Sequence, residues 1–368
     1  MTGPAGLYVH VPFCLTRCGY CDFNTYEGLD HLRSPYVEAL AAEARLAAPG
    51  WRGVAFGSVF FGGGTPTTLP PADLVALLDH LRGAFDVADG AEVTVEANPD
   101  TVDERSLAAI RAGGVTRLSI GAQSFDPDVL RALERIHGPP SVRAAFVAAR
   151  AVGFDALNVD LIYGADGETL ASWRRTLDEA LALEPDHVSA YALTIEPATP
   201  LGRKVAAGLL PPPDPDLQAD MYEAACAALA AAGFEHYEVS NWAVPGRRSL
   251  HNLGYWQGRP YLGLGAGAHS FRRRRRWWNV HPPARYLAEV AAGRLPTGGE
   301  ERLGPEARRI ERLLLGLRVA DGVPAGWLDA AESERLLAGG LAERRAGRFA
   351  LTDRGMFLAN DLVLALAG

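Results

Sequence analysis

The sequence predicts an α/β protein: a partial (β/α)6 TIM-type barrel with extra C-terminal strands and a small, mainly helical, winged-helix-like C-terminal domain. Two observations predict it. Short apolar runs alternate with amphipathic segments as far as about residue 240, the order that gives a mostly parallel sheet with crossover helices. Polar side chains fall near the ends of these runs, where a barrel gathers the ends of all its strands on one face.

In chain order the strands are GLYVHV (6–11), SVFF (58–61), EVTVEA (92–97), RLSIGA (117–122), ALNVDLIY (156–163) and HVSAYAL (187–193). Helices PPADLVALLDHLR (70–82), PDVLRALERI (127–136) and TLASWRRTLDEALAL (169–183) carry apolar residues at helical spacing. Six such units favour a curved, partly closed barrel over a flat sheet. The proline-rich stretch 209–218 interrupts the pattern, an Ala-rich helix follows, and GLGAGAHSFRRRRRWWNV reads as two strands joined by an arginine-rich hairpin tip. The expected division is a core over 1–245, a sheet extension and hairpin over 246–299, and a helical region over 300–368 that ends in a turn-and-strand element and a final helix.

Composition narrows the function. The 368 residues carry 36 basic and 44 acidic side chains, a net charge of −8, which argues against a nucleic-acid partner. No apolar run reaches the roughly 18–20 residues of a membrane span, and the N-terminus lacks the pattern of a signal peptide, so a cytoplasmic location is expected. Lys204 is the sole lysine, which excludes a Gly-Lys-Ser/Thr phosphate loop and leaves one candidate for Schiff-base chemistry.

Three of the four cysteines, Cys14, Cys18 and Cys21, form CxxxCxxC directly after the first strand. Clustered thiols in a reducing compartment read as metal ligands. Three thiolates on a four-iron cubane leave one iron open to a further ligand. The alternatives are a zinc site completed by His10 or His31, or chance thiols. Cys226, alone in AACAALAAAG, reads as a small buried helix residue. Gly62, Gly63 and Gly64, followed by Thr65, come straight after the second strand and allow close approach of backbone to a ligand. Glu96, Gln123, Asp160 and Thr194 lie near later strand ends and are expected to converge.

CxxxCxxC after a first strand, with Tyr20 before the third cysteine, resembles the radical S-adenosylmethionine (SAM) superfamily. The resemblance implies a [4Fe-4S] cluster on Cys14, Cys18 and Cys21, with the amino and carboxylate groups of SAM on the open iron. YVHVPFC, GGGTPT, VEANPD, GAQSF, ALERIHG and NVDLIYG are similar, in order, to the oxygen-independent coproporphyrinogen III oxidase branch. It implies SAM contacts at Tyr8, Tyr20, Gly63, Gly64, Thr65, Glu96, Gln123, Arg135 and Asp160. Two departures separate the chain from the oxidases: Phe23 stands where they have a fourth cysteine, and only five residues precede Gly6. HNLGYW (251–256) instead resembles the haem-chaperone members of the branch. That likeness implies haem as a ligand, His251 as its axial ligand, and acceptor haemoproteins as partners, with oxidative decarboxylation of coproporphyrinogen III as the alternative activity. A membrane-associated respiratory partner and a homodimer are further expectations. Read as residues alone, His251 and Asn252 cap a turn while Tyr255 and Trp256 fill the core. His269 and the run Arg272 to Arg276 stand either near a haem or on a solvated hairpin tip.

Overall fold

The computed structural model describes residues 3–362. Strands β1 (Ala5–Val11), β2 (Ala55–Gly63), β3 (Asp86–Ala97), β4 (Arg117–Gln123), β5 (Leu157–Tyr163) and β6 (His187–Ala192) pair in parallel in that order, as the sequence predicts. Between them run α1 (Arg33–Ala47), α2 (Pro71–Ala84), α3 (Glu104–Ala112), α4 (Pro127–Ala132), α5 (Pro139–Ala151) and α6 (Leu170–Leu181). After α7 (Pro200–Ala206) and α8 (Pro215–Ala231), β7 (Glu235–Glu238) and β8 (Asn241–Ala243) form an antiparallel pair on the β6 edge.

On the other edge the sheet is longer than the sequence suggests. Helix α9 (Leu250–Trp256) leads into β9 (Tyr261–Leu264), a short strand that pairs in parallel with β1. The expected arginine hairpin follows as β10 (His269–Arg272) and β11 (Arg275–Asn279), with Arg273 left-handed at its tip (φ 63°). After α10 (Pro283–Ala291), β12 (Thr297–Arg302) closes a twelve-stranded sheet. The C-terminal region has its own apolar cluster around Leu313, Leu336, Phe349 and Met356. It comprises α11 (Pro305–Gly316), β13 (Val323–Pro324), α12 (Ala330–Ala338), β14 (Ala342–Arg345), β15 (Arg348–Leu351) and α13 (Asp353–Phe357). The three strands form a separate antiparallel sheet, and the end of the expected final helix, 363–368, lies outside the described residues.

Alternation within the strands decides what the barrel can hold. Leu7, Val9, Val93, Val95, Leu118, Ile120, Val159, Leu161, Val188 and Ala190 belong to the apolar core shared with the helices. The intervening positions, Tyr8, Thr94, Glu96, Arg117, Ser119, Asn158, Asp160, His187 and Ser189, line an interior cavity. Most barrels of this type fill their interior with branched apolar side chains; this one is polar, and a polar interior needs partners for its buried groups.

One helix is shorter than expected. The segment 127–136 stops being helical at Ala132, because Glu134 takes a left-handed backbone (φ 56°). That break turns Arg135 inward.

Candidate functional site

The cysteine loop leaves β1 and returns through a short parallel bridge between Phe13 and Tyr26. Cys14 N–H donates to Tyr26 O (2.9 Å) and Tyr26 N–H to Pro12 O (2.7 Å), so the loop's base is closed by backbone bonds. Asn24 Nδ2 donates to the carbonyls of Ala266 and His281 (both 3.0 Å), fastening the loop to the strands after β9. At the far end, Leu201 N–H donates to Gly19 O (2.8 Å). A loop pinned at both ends presents its side chains in a fixed arrangement.

Cys14, Cys18 and Cys21 are free, partly exposed, and line one cavity of about 400 Å³ at the C-terminal ends of the strands. Tyr20, Gly63, Gly64, Thr65, Glu96, Gln123, Arg135, Asp160 and Thr194 line the same cavity. Tyr8 and His251 do not; they line a second cavity of about 230 Å³ deeper in the barrel. Glu96, Ser119, Asp160 and Tyr191 border both cavities.

Each contact has a local cause. A Cβ on Gly64 stands 2.6 Å from Phe13 O and 3.0 Å from Cys14 Sγ, and one on Gly63 (φ 114°) stands 2.4 Å from the His10 ring. Only glycine lets β2 approach the cysteine loop so closely. Gln123 sits at a register shift between β4 and β5 with φ 64°, and its amide lies beside Gly121, in the cavity, 2.9 Å from where a Cβ on that glycine would stand. Arg135, placed by the break at Glu134, donates to Cys18 Sγ (3.2 Å) and Gly121 O (3.1 Å), while its Nε is buried without a partner.

Burial, with the Asp160 carboxylate nearby, pushes Glu96 up to about 8, against an opposing bond from Gly63 N–H (3.1 Å). Asp160 is raised by burial too, although Ser119, Ser189 and Asn158 hydrogen-bond its carboxylate and pull it back. Burial pushes the Cys14 thiol up to about 11. A thiol so raised becomes a thiolate at neutral pH through metal coordination, which releases its proton. The donor set therefore fits a metal cluster on the thiols beside a ligand that brings positive charge to Glu96 and Asp160 and an acceptor to Arg135 Nε.

His251 takes part in a different arrangement. It lies on α9, which closes the N-terminal end of the barrel, and is 3% exposed. Its Nδ1 bonds Ser58 Oγ (2.9 Å), its Nε2 bonds Tyr255 Oη (2.9 Å), and its ring stacks on Phe60 at 5.0 Å. Burial pushes its pKa down to about 3, so the ring is neutral. Tyr8 lies near it, with ring centroids 6.5 Å apart, and bonds His10 Nδ1 (3.0 Å). The helix start is held by Glu92, which accepts from His251 N–H (3.1 Å) and pairs with Arg117 (3.0 Å).

Trp256, at the other end of α9, borders a third cavity of about 400 Å³ between the barrel and the C-terminal region. Its apolar lining includes Phe271, Leu315 and Trp327, and its rim carries Arg259, Arg308, Arg312 and Arg348. Arg312 Nε is buried there without a partner. Sequence reasoning missed this cleft, and also Ser119, Asn158 and Glu92. Ser119 and Asn158 meet partners on neighbouring strands 31 to 41 positions away, and Glu92 meets His251 across 159, distances at which no local pattern marks a contact.

The radical SAM superfamily profile matches residues 8–180. The chain is 46% identical to the Heme chaperone HemW of Mycobacterium tuberculosis (strain CDC 1551 / Oshkosh), over 99% of this chain and 95% of that one. It is 33% identical to the Heme chaperone HemW of Bacillus subtilis (strain 168), over 98% of each. Among solved structures it is similar to the coproporphyrinogen III oxidase HemN, a radical SAM enzyme of Escherichia coli, with a TM-score of 0.84 and 26% identity, covering 99% of this chain and 90% of that one.

Proposed function

This chain belongs to the radical SAM superfamily and, within it, to the family of the heme chaperone HemW, and from that premise we propose that it binds haem and delivers it to acceptor haemoproteins. Cys14, Cys18 and Cys21 hold a [4Fe-4S] cluster in this reading. Tyr20, Gly63, Gly64, Thr65, Glu96, Gln123, Arg135 and Asp160 hold SAM beside it, and Tyr8 supports the chamber below. When bound, the cluster and SAM supply one-electron chemistry at the sulfonium. The protein's own contribution is to close the cysteine loop, keep Glu96 and Asp160 dry, and offer Arg135 to a carboxylate.

The observation that carries the haem reading is the cleft at the end of the HNLGYW helix. A flat macrocycle with two propionates needs apolar walls and basic groups, and Trp256, Phe271 and Trp327 with Arg259 and Arg312 offer both, while Arg308 and Arg348 beside them are bonded to the carbonyls of Arg273, Asp321 and Gly322. We assign His251 as the axial ligand. Both its ring nitrogens are engaged in this conformation, so ligation requires α9 to turn and release Ser58 and Tyr255. Haem titrated into the purified protein is expected to give a histidine-ligated spectrum that His251→Ala weakens. Binding that His251→Ala leaves unchanged removes this residue from the site, and no binding at all overturns the reading.

A second reading is coproporphyrinogen III oxidation, favoured by the likeness to HemN over nearly the whole chain. Phe23 argues against it, standing where the oxidases that the chain resembles carry a fourth cysteine. Incubation with coproporphyrinogen III, SAM and reductant is expected to give no vinyl product; protoporphyrinogen formation promotes the oxidase.

A further inference from the structure

Cys226 on α8, His236 on β7 and Asp353 at the start of α13 meet far from the cysteine loop in sequence and belong to none of the cavities described above. One ligand atom from each lies within 4.8 Å of the other two. The three come from the barrel edge and the C-terminal region, and only Asp353 is well exposed, which leaves an ion a route in.

Tyr222, one helical turn before Cys226, donates its single hydroxyl proton to Val239 O (3.2 Å). Its oxygen is then left to accept from His236 Nε2–H (3.4 Å). A ring that donates at Nε2 turns its Nδ1 toward the Asp353 carboxylate, 2.7 Å away. A bare lone pair facing a carboxylate at that distance is repulsive, so a proton or a metal ion belongs at Nδ1. Metal-bound histidines have the same outer arrangement, with the second nitrogen donating to a fixed acceptor. Trp242, stacked on the ring at 4.4 Å and 10°, fixes its plane as well.

We propose that Cys226, His236 and Asp353 form a second metal site, for a divalent cation of the zinc class, that ties the C-terminal region to the barrel edge. A thiolate, an imidazole and a carboxylate together suit zinc better than magnesium or calcium, which prefer oxygen alone. Tetrahedral zinc sets ligand atoms about 3.4–3.8 Å apart. The observed cluster therefore needs the exposed Asp353 side chain to back away slightly and the sulfur to draw in. Three protein ligands leave the fourth position to water.

The test uses the full chain with its cluster reconstituted, so that iron occupies Cys14, Cys18 and Cys21. After dialysis against zinc chloride and desalting, elemental analysis is expected to find about one zinc per chain beside the iron. Cys226→Ser and His236→Gln are each expected to weaken zinc binding at least tenfold. In a full chain with the three loop cysteines changed to serine, cobalt chloride is expected to give a thiolate-to-cobalt band that disappears on adding Cys226→Ser. Circular dichroism of each variant guards against misfolding, and Asp353→Asn, on the exposed side, provides a variant that leaves the core untouched. The proposal is overturned if zinc retention in Cys226→Ser equals that of the parent, or if cobalt binds without a sulfur band. Either result removes Cys226 from any metal site and leaves the three residues without the shared ion proposed here.

Discussion

Glu96 makes the cavity beside the cysteines sensitive to pH in a direction the structure fixes. Its carboxyl is pushed up to about 8, by burial first and by Asp160 second. At pH 7 a group titrating at 8 is protonated in about nine chains of ten. A ligand that brings a sulfonium favours the anion, so binding SAM is expected to expel about 0.9 proton from Glu96 at pH 7, in addition to the proton that the SAM amino group gives up on ligating iron. Affinity then rises about tenfold per pH unit as pH approaches 8, and levels off above it. The same shift destabilises the ligand-free fold as pH rises. An acid raised from 4.5 contributes stability below about 4.5 and loses it progressively as pH climbs through about 8. Calorimetric titration of SAM in phosphate and in Tris, buffers of different ionisation enthalpy, reads the proton count directly. Glu96→Gln is expected to lower the proton release by about 0.9 per SAM at pH 7, weaken the pH dependence of binding below pH 8, and leave the ligand-free protein more stable than its parent above pH 8. Identical enthalpies in both buffers for the parent protein refute the reasoning.

Other substitutions test separate parts of the site. Cys18→Ala removes one thiol and the Arg135 contact at once, and anaerobic reconstitution is expected to fall from about four irons per chain to background. Gly64→Ala drives a methyl into Phe13 O, and the backbone shift is expected to cost about 1–3 kcal/mol and prevent stoichiometric cluster assembly, read by denaturation midpoint and iron content. Arg135→Ala is expected to weaken SAM binding tenfold or more while leaving haem affinity unchanged, since the cleft at Trp256 lies outside the cavity that Arg135 lines. Trp256→Ala together with Arg312→Ala reverses that pattern: haem binding falls and SAM binding holds.

The parallel strands, the cysteine triad and the Gly62 to Gly64 turn were legible because each has a local signature. Strand β9 was not, because YLGL is only four residues long, carries Gly263 in its middle and depends on pairing with β1. The position of Arg135 was half legible. ALERIHG marks the residue, but its helix reads as continuous through Ile136, and nothing local announces that Glu134, a residue with a Cβ, takes the left-handed turn that aims it inward. His251 shows the same limit from the other side. HNLGYW draws attention to it, yet Ser58 and Glu92, which fix its ring and its backbone, lie 193 and 159 residues away in sequence.

In the polar floor that joins the two ends of the barrel, His187 fixes the proton positions between Asn158 and α9. His187 is fully buried and burial lowers its pKa far enough that the ring is neutral, with one N–H. Asn158 Oδ1, 2.6 Å from Nδ1, can only accept, so the proton sits on Nδ1. Nε2 therefore accepts from Tyr237 Oη–H (2.7 Å), and the Tyr237 oxygen remains free to accept from Ser249 N–H (3.3 Å), the cap of α9. At the other end Asn158 Nδ2 donates to Asp160 (2.8 Å), whose second oxygen takes the Ser119 hydroxyl (2.8 Å). Asn158 Nδ2 also reaches Ser119 Oγ (2.7 Å) and Ser189 Oγ (3.0 Å), so its two protons serve three acceptors. Breaking any member strands a buried group at a cost of about 1–3 kcal/mol. Apolar packing in the same place would tolerate small rotations of α9, whereas directional bonds do not. The helix that bears His251 is thus seated by the same network that orients Asp160 at the mouth of the upper cavity, and any turn of α9 has to be made against Ser249's bond to Tyr237.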